Sequence, residues 1–172
     1  MASLAVIFQF QTGMRVGEIG AVKYADIKGD TLHVCRMVRE QFTVVEHTKS
    51  AAGDRMIYLT DLAKKVIEET KRYHKEQGMP DAEYIFGDYE HLKPRTIADR
   101  YSAFCKRLEI QHRSSHKARK TQISALLDGG VNLDTVRRLS GHEDSETTLR
   151  CYNYDRAEEK ARKEMVVHAL NG

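Results

Sequence analysis

The sequence predicts an α+β domain, mainly α-helical, with a small three-stranded antiparallel sheet set near its N-terminal end. Three observations carry that reading. Beyond residue 60 the apolar residues recur at spacings of three and four, the period of a half-buried helix. Between 31 and 59 three short stretches read as strands instead, the first of them alternating. The Gly53–Asp54 step between the second and third suits a tight turn.

Taken in order, LAVIFQFQTG reads as a helix ending near Gly13, and its first residues resemble a cut through a longer protein. Residues 15–22 form a second, short helix. TLHVCRMVR at 31–39 alternates as a strand with Leu32, Val34 and Val38 on one side; Phe42–Thr48 and Arg55–Leu59 supply the other two strands. Thr60 or Asp61 can cap a helix carrying Leu62, Val66, Ile67 and Tyr73, which stops around Gly78–Met79–Pro80. Pro94 opens another, with Ile97, Tyr101, Phe104 and Leu108 on its stripe. A helix from about 116 to 128 ends at Gly129–Gly130, a short one covers 133–139, and a last one at 156–170 carries Ala157, Ala161, Met165 and Ala169 among mixed charges. The expectation is one domain over 1–172.

The composition is that of an ordinary globular protein, with 41% apolar and 31% charged residues. No apolar run approaches the roughly 18 residues of a membrane span, and no signal-peptide pattern opens the chain. Cys35, Cys105 and Cys151 are far apart and outside any CxxC spacing, which fits reduced thiols in the cytoplasm. A net charge of +3 excludes a histone-like protein and is weak evidence for nucleic acid by itself. Its distribution says more: Lys and Arg gather at 113–120 and 137–138.

Six polar residues stand out, each in its own phrase: Arg15 in TGMRVGE, Lys49 in HTKSAAGDR, His116 and Arg119 in SHKARKT, His142 and Tyr152 in LSGHEDSETTLRCY. Two guanidiniums, an ammonium, two imidazoles and a phenol are the inventory needed to attack a phosphodiester with a tyrosine. Arg15, just after a glycine and at a helix start, can fork onto a phosphate; alone it is equally a surface arginine paired with Glu18. Lys49 sits between a strand and a turn, where an ammonium can donate a proton to a departing oxygen, or simply be solvated at a hairpin tip. His116 and Arg119 stand three apart on one helix face and together suit one phosphate, though HxxR alone is often surface decoration. His142 follows Ser140–Gly141 at a helix end and could be a turn residue. A phenol has a pKa near 10, so Tyr152 needs nearby cations or a base to attack at neutral pH; Tyr154 in CYNYD is its rival. The histidines could instead bind a metal, but no Asp, Glu or Cys completes a ligand set at a suitable spacing.

From Thr12 to Tyr154 these phrases resemble the catalytic domain of the tyrosine recombinase (phage integrase) family, in the style of conjugative-transposon and temperate-phage integrases. TGMRVGEI is similar to the family's first arginine box, and HKARKTQISALLDGGVNLDTVRRLSGH to its second. A leucine is usual where Ala118 stands, a histidine where Lys120 stands, and Leu-Gly-His is commoner than Ser140–Gly141–His142; none of these touches a reacting group. The resemblance implies the tyrosine-recombinase (DNA breaking-rejoining enzyme) catalytic fold. It implies that Tyr152 attacks the scissile phosphate to give a 3′-phosphotyrosine and that Lys49 protonates the leaving 5′ oxygen. Arg15, Arg119, His116 and His142 would stabilise the pentacoordinate charge, and Glu18 would hold the site together. Rejoining would need neither metal nor ATP, and no cofactor is expected. The expected partner is double-stranded DNA at specific recombination sites, gripped in part by Arg113, Lys117, Lys120, Arg137 and Arg138. The working form would be a homotetramer on synapsed DNA, with the isolated domain a monomer, no membrane, and a bacterial cytoplasmic, nucleoid-associated location. The family's core-binding and arm-binding domains would precede this one. Helix 156–170 would dock either on its own domain or on a neighbouring subunit. Two other readings are a non-catalytic helix-turn-helix module over 119–142, with its turn near Gly129–Gly130, and a relaxing enzyme like a type IB topoisomerase.

Overall fold

In the computed structural model of the chain, residues 1–39, 43–46, 48, 50–151, 164, 166 and 167 are described. The elements are α1 (Ala2–Thr12), α2 (Val16–Ala21), β1 (Ile27–Lys28), β2 (Thr31–Val34), β3 (Met37–Val38), β4 (Val44–Val45), β5 (Arg55–Tyr58), α3 (Asp61–Glu76), α4 (Pro94–Arg107), α5 (Ser115–Asp128), α6 (Leu133–Ser140) and α7 (Ser145–Leu149). The mainly helical α+β class is as expected.

Helix α1 is apolar on nearly every side, and for that reason it lies at the centre, packed by α3, α4 and α5. Ala5, Phe8 and the polar Gln9 are fully enclosed. Gln9 is satisfied at both ends of its amide: Nε2 donates to the Met14 carbonyl at 2.9 Å, and Oε1 accepts from the Tyr101 hydroxyl at 2.7 Å. Gly13 then takes φ +62°, in the left-handed region, and ends the helix by donating its N–H to the Gln9 carbonyl at 2.8 Å. Local caps set the other starts as read from the sequence: Thr60 Oγ1 accepts from Ala63 N–H at 3.2 Å, and Pro94 occupies the first turn of α4.

The sheet differs in membership from expectation. The three-stranded antiparallel sheet runs β1-β2-β5, with Leu32 opposite both Ile27 and Ile57, and β3 pairs with β4 in a separate two-stranded ribbon. The expected strand at 31–39 is therefore broken at Cys35–Arg36. Arg36 is the physical reason: its Nη1 donates to both oxygens of buried Asp26 at 2.6 and 2.5 Å, and its Nε to Glu46 at 3.0 Å. Satisfying that guanidinium turns the chain from one partner strand to another. Leu32, Val34 and Val38 are all buried, so the side they share survives the break.

On α3 the buried stripe is Ala63, Val66, Ile67, Thr70 and His74, with Leu62 and Tyr73 on its exposed flanks. On α4, Ile97 and Tyr101 are buried while Leu108, the C-cap, is exposed. Within residues 81–93, unassigned from sequence, Ala82, Tyr84, Ile85 and Phe86 turn out to be core. Ile85 N–H donates to the Val22 carbonyl and Leu92 N–H to that of Gly20, so Ile85 and Phe86 are carried beneath α1 without a regular element. Their apolar run is too short to show a period. A second, smaller core of Ile123, Val136 and Cys151 joins α5 and α6 to the end of α7. No described helix is long and apolar enough to cross a membrane. Most of the expected 156–170 helix lies outside the described residues.

The rings of Phe8 and Phe86 lie 5.1 Å apart at a tilt of 59°. Truncating Phe86→Ala removes that contact and opens a cavity in the main core. Urea denaturation is expected to show a stability loss of about 3–5 kcal/mol.

Candidate active site

The site begins with how α1 ends. The left-handed Gly13 turns the chain so that buried Met14 is followed by Arg15, the N-cap of α2 in extended geometry. Glu18, at the third position of α2, reaches back to that cap: its Oε2 accepts the Arg15 backbone N–H at 2.7 Å, and its Oε1 accepts from Arg15 Nη1 at 2.9 Å. Glu18 is fully buried, and two further bonds come from Arg55 on β5, Nη1 to Oε1 at 3.1 Å and Nη2 to Oε2 at 3.0 Å. An isolated carboxylate at such depth would cost several kcal/mol; one held by two guanidiniums and a backbone N–H does not. Burial alone would push the Glu18 carboxyl up, and Arg55, followed by Arg15, more than offsets this and holds it below the ordinary value.

The opposite wall is the C-terminal end of α6. Three successive carbonyls there each accept from a different arginine. Leu139 takes Arg55 Nε at 2.7 Å, Ser140 takes Arg119 Nη2, and Gly141 takes Arg15 Nη2 at 2.8 Å. A helix C-terminus leaves its last carbonyls unpaired and carries partial negative charge, so it draws cations. Gly141 adopts φ +64°, and its N–H returns to the Arg138 carbonyl at 3.0 Å. A Cβ at Gly141 would stand 2.9 Å from the Ala52 carbonyl and 3.1 Å from Arg55 Nη1, so both the φ and the approach require glycine.

Arg119 also donates to the Gly13 carbonyl at 2.5 Å, which ties α5 to the end of α1. It is buried, and burial, then Arg15, pushes it down to about 9, still cationic at neutral pH. The side chain of Arg15 is 27% exposed and keeps guanidinium N–H groups for a ligand. His142 is buried directly after the three carbonyls, with Nδ1 3.0 Å from the hydroxyl of fully buried Thr148 on α7. Burial, then the charges of Arg119, Arg15 and Arg55, pushes it down to about 4. His116 lies exposed in the first turn of α5 and is lowered by partial burial, then by Lys120, Arg119, Lys117 and Arg15. Three guanidiniums thus gather at the end of α6, two of them also on the Glu18 carboxylate, with His142 directly beside them.

Arg15, Glu18, His116, Arg119 and His142 are thus brought together. Lys49, Tyr152 and its rival Tyr154 lie outside the described residues. Their flanks are described: buried Thr48 donates its hydroxyl to the Ser50 carbonyl at 2.7 Å, and buried Cys151 accepts from Ser124 Oγ at 3.4 Å through its carbonyl. Of the basic residues, Arg113, Lys117 and Lys120 sit beside His116 at the start of α5. Arg137 and Arg138 are both paired with Asp134, at 2.7 and 2.5 Å. Arg55 was not singled out from the sequence. Its signal was parity: in RMIYL it shares a side with Ile57 and Leu59, and an inward arginine needs a buried acid. Among the described residues no group of three His, Cys, Asp or Glu side chains could hold a metal ion.

A model of the phage integrase family matches residues 2–159. The integrase of Staphylococcus phage L54a is 28% identical over 165 residues, covering 87% of this chain and 47% of that protein. Tyrosine recombinase XerC of Corynebacterium glutamicum is 27% identical over 140 residues, covering 81% and 42%. The chain therefore spans about half the length of these curated relatives. Among solved structures, the Tn1549 transposon integrase in complex with circular intermediate DNA superposes with a TM-score of 0.75 at 15% identity, over 96% of this chain and 59% of that one. XerA recombinase does so with 0.70 at 19% identity, over 98% and 56%. These superpositions establish the fold.

The depressed His142 gives a pH dependence whose sign follows directly. An unfolded imidazole titrates near 6.5 and the folded one near 4, so between those values only the unfolded chain gains the proton. Stability is fully present above the unfolded value and is lost as pH falls toward the folded one. Between about pH 7.5 and about pH 5 the wild type should lose roughly 2 kcal/mol more than His142→Gln in urea denaturation.

Proposed function

This chain belongs to the phage integrase family, and from that premise we propose that it is the catalytic domain of a site-specific DNA recombinase serving integration and excision of a mobile element. The observation that carries the proposal is the gathering of Arg15, Arg55 and Arg119 on three successive carbonyls beside His142. This is a fixed, positively charged seat, and one that needs little reorganisation when charge builds on a phosphoryl group.

In the proposed reaction the Tyr152 phenolic oxygen attacks the scissile phosphorus, forming an O–P bond as the P–O5′ bond breaks. The departing electron pair leaves on O5′, which takes a proton from the Lys49 ammonium; the phenol gives its proton to neutral His116. Arg15 and Arg119 carry the charge of the pentacoordinate state on the non-bridging oxygens. His142 contributes through Nε2: with the Thr148 hydroxyl donating to Nδ1, the ring proton sits on Nε2 and points to a phosphate oxygen. The product is a 3′-phosphotyrosine. A 5′ hydroxyl from a partner strand reverses each step, and because the ester bond is conserved in the covalent link, no ATP is consumed.

Double-stranded DNA at a recombination site is the proposed substrate, with Arg113, Lys117 and Lys120 extending the positive surface along the backbone. Arg137 and Arg138 are weaker candidates, since Asp134 already neutralises part of their charge. The proposed working form is a homotetramer on synapsed DNA. A groove of about 600 Å³ beside α1, α4 and α5 has one apolar wall, of Phe10, Phe104 and Leu108, and a basic rim of Arg113, Lys117 and Lys120; the apolar wall supports a docking role for the 156–170 segment, where Val166 and Val167 are exposed.

Nicked suicide duplexes built from the element's ends, run on a denaturing gel at low salt, test the chemistry. A protein–DNA adduct formed by the wild type and by Tyr154→Phe but abolished in Tyr152→Phe is the expected result. Loss in Tyr154→Phe alone would move the nucleophile by two residues. DNA binding that survives Tyr152→Phe, with no adduct from any form, would favour a non-catalytic binding module.

A further inference from the structure

We propose that Arg55 is a positioning residue of strand cleavage: it locks the turn that adjoins Lys49 to the carboxylate and helix end that hold the phosphate-binding arginines. The family resemblance assigns Arg55 no role, and the proposal rests on the reading of Lys49 as the acid.

Four of the guanidinium's five N–H groups donate to protein. Nε donates to the Leu139 carbonyl at 2.7 Å, Nη1 to the Gly53 carbonyl at 2.7 Å and to Glu18 Oε1 at 3.1 Å, and Nη2 to Glu18 Oε2 at 3.0 Å. Its side chain is 5% exposed. A group so occupied does not touch substrate; it acts through what it holds. What it holds comes from three parts of the chain that the reaction must align: α2 through Glu18, the end of α6 through Leu139, and the turn preceding β5 through Gly53.

That turn reaches to either side of position 49. Gly53 N–H donates to the Ser50 carbonyl at 2.9 Å, and the Thr48 hydroxyl donates to the same carbonyl at 2.7 Å. Thr48 is buried against Gly53 so closely that a Cβ there would stand 2.3 Å from Thr48 Oγ1. Residues 48 and 50 are therefore tied to the one turn whose Gly53 carbonyl Arg55 grips. A lysine stem has four rotatable bonds, so its ammonium is placed only as well as its backbone is. Arg55 fixes the residues on either side of position 49 relative to the phosphate seat, through a planar fork that a lysine at 55 cannot reproduce.

The test compares two substrates under single-turnover conditions, one with the natural bridging oxygen and one with sulfur at the 5′ bridging position of the scissile phosphate. With sulfur, the Tyr152 oxygen still forms the O–P bond, but the P–S bond breaks and the pair leaves as a thiolate, which needs no proton. Arg55→Lys keeps the charge and loses the fork; Gly53→Ala pushes Thr48 off the turn without touching Arg55's acid partner. Both variants should cleave the oxygen substrate at least about tenfold more slowly than wild type, with DNA affinity little changed. On the sulfur substrate their deficit should shrink to within about threefold, matching Lys49→Ala. Equal deficits on both substrates, or none on either, would overturn the positioning role. If wild type cleaves both but sulfur fails to rescue Lys49→Ala, Lys49 is not the acid and this proposal falls with that reading, while the Tyr152 adduct would stand.

Discussion

Three peptide carbonyls in a row at the end of α6, and one carboxylate on α2, are what hold this domain's chemistry in place. Arg55, Arg119 and Arg15 are contributed by a strand, a helix and a helix cap far apart in sequence, and each donates to one of residues 139, 140 and 141. Guanidiniums repel one another, and three of them do not gather without compensation. Glu18 supplies a full negative charge between two of them, and the helix end supplies partial charge to all three. The three guanidiniums outnumber the one carboxylate, so the arrangement keeps a net positive charge.

The same geometry explains the two histidines. A buried imidazole facing three cations stays neutral, so His142 adds no further charge to the site. His116, nearer solvent, is also lowered, by partial burial and then by Lys120, Arg119, Lys117 and Arg15. The small core of Ile123, Val136 and Cys151 matters for a related reason: it fixes the chain to α5 immediately before position 152.

Much of this was legible in the sequence because the signals are local. Thr60, Pro94, Gly13 and Gly129–Gly130 mark helix ends through short-range capping chemistry, and the structure has helix boundaries at each. The arginine boxes and the histidine phrase were readable as family phrases, and their residues do converge. Long-range pairing was not readable. Nothing near Arg36 in sequence announces that Asp26 and Glu46 will turn the chain there and split a strand in two. Ala82, Tyr84, Ile85 and Phe86 are core without lying in a regular strand or helix, so periodicity could not find them. Arg55 was hidden because an arginine at a strand start is ordinarily a surface residue, and only knowledge of Glu18's burial distinguishes it. Lys49 and Tyr152 rest on phrase and spacing alone, since both lie outside the described residues.

The account stands or falls on whether Glu18 and Arg55 act as one unit. A double-mutant cycle on stability, with Glu18→Gln, Arg55→Gln and the pair, measures this directly by urea denaturation. Removing one partner strands the other's charge in the interior, so each single change should be severe and the pair far less than their sum. A coupling of at least about 2 kcal/mol is the result predicted. Additivity to within about 0.5 kcal/mol would contradict it, and would mean that the arginines are gathered by something other than this carboxylate.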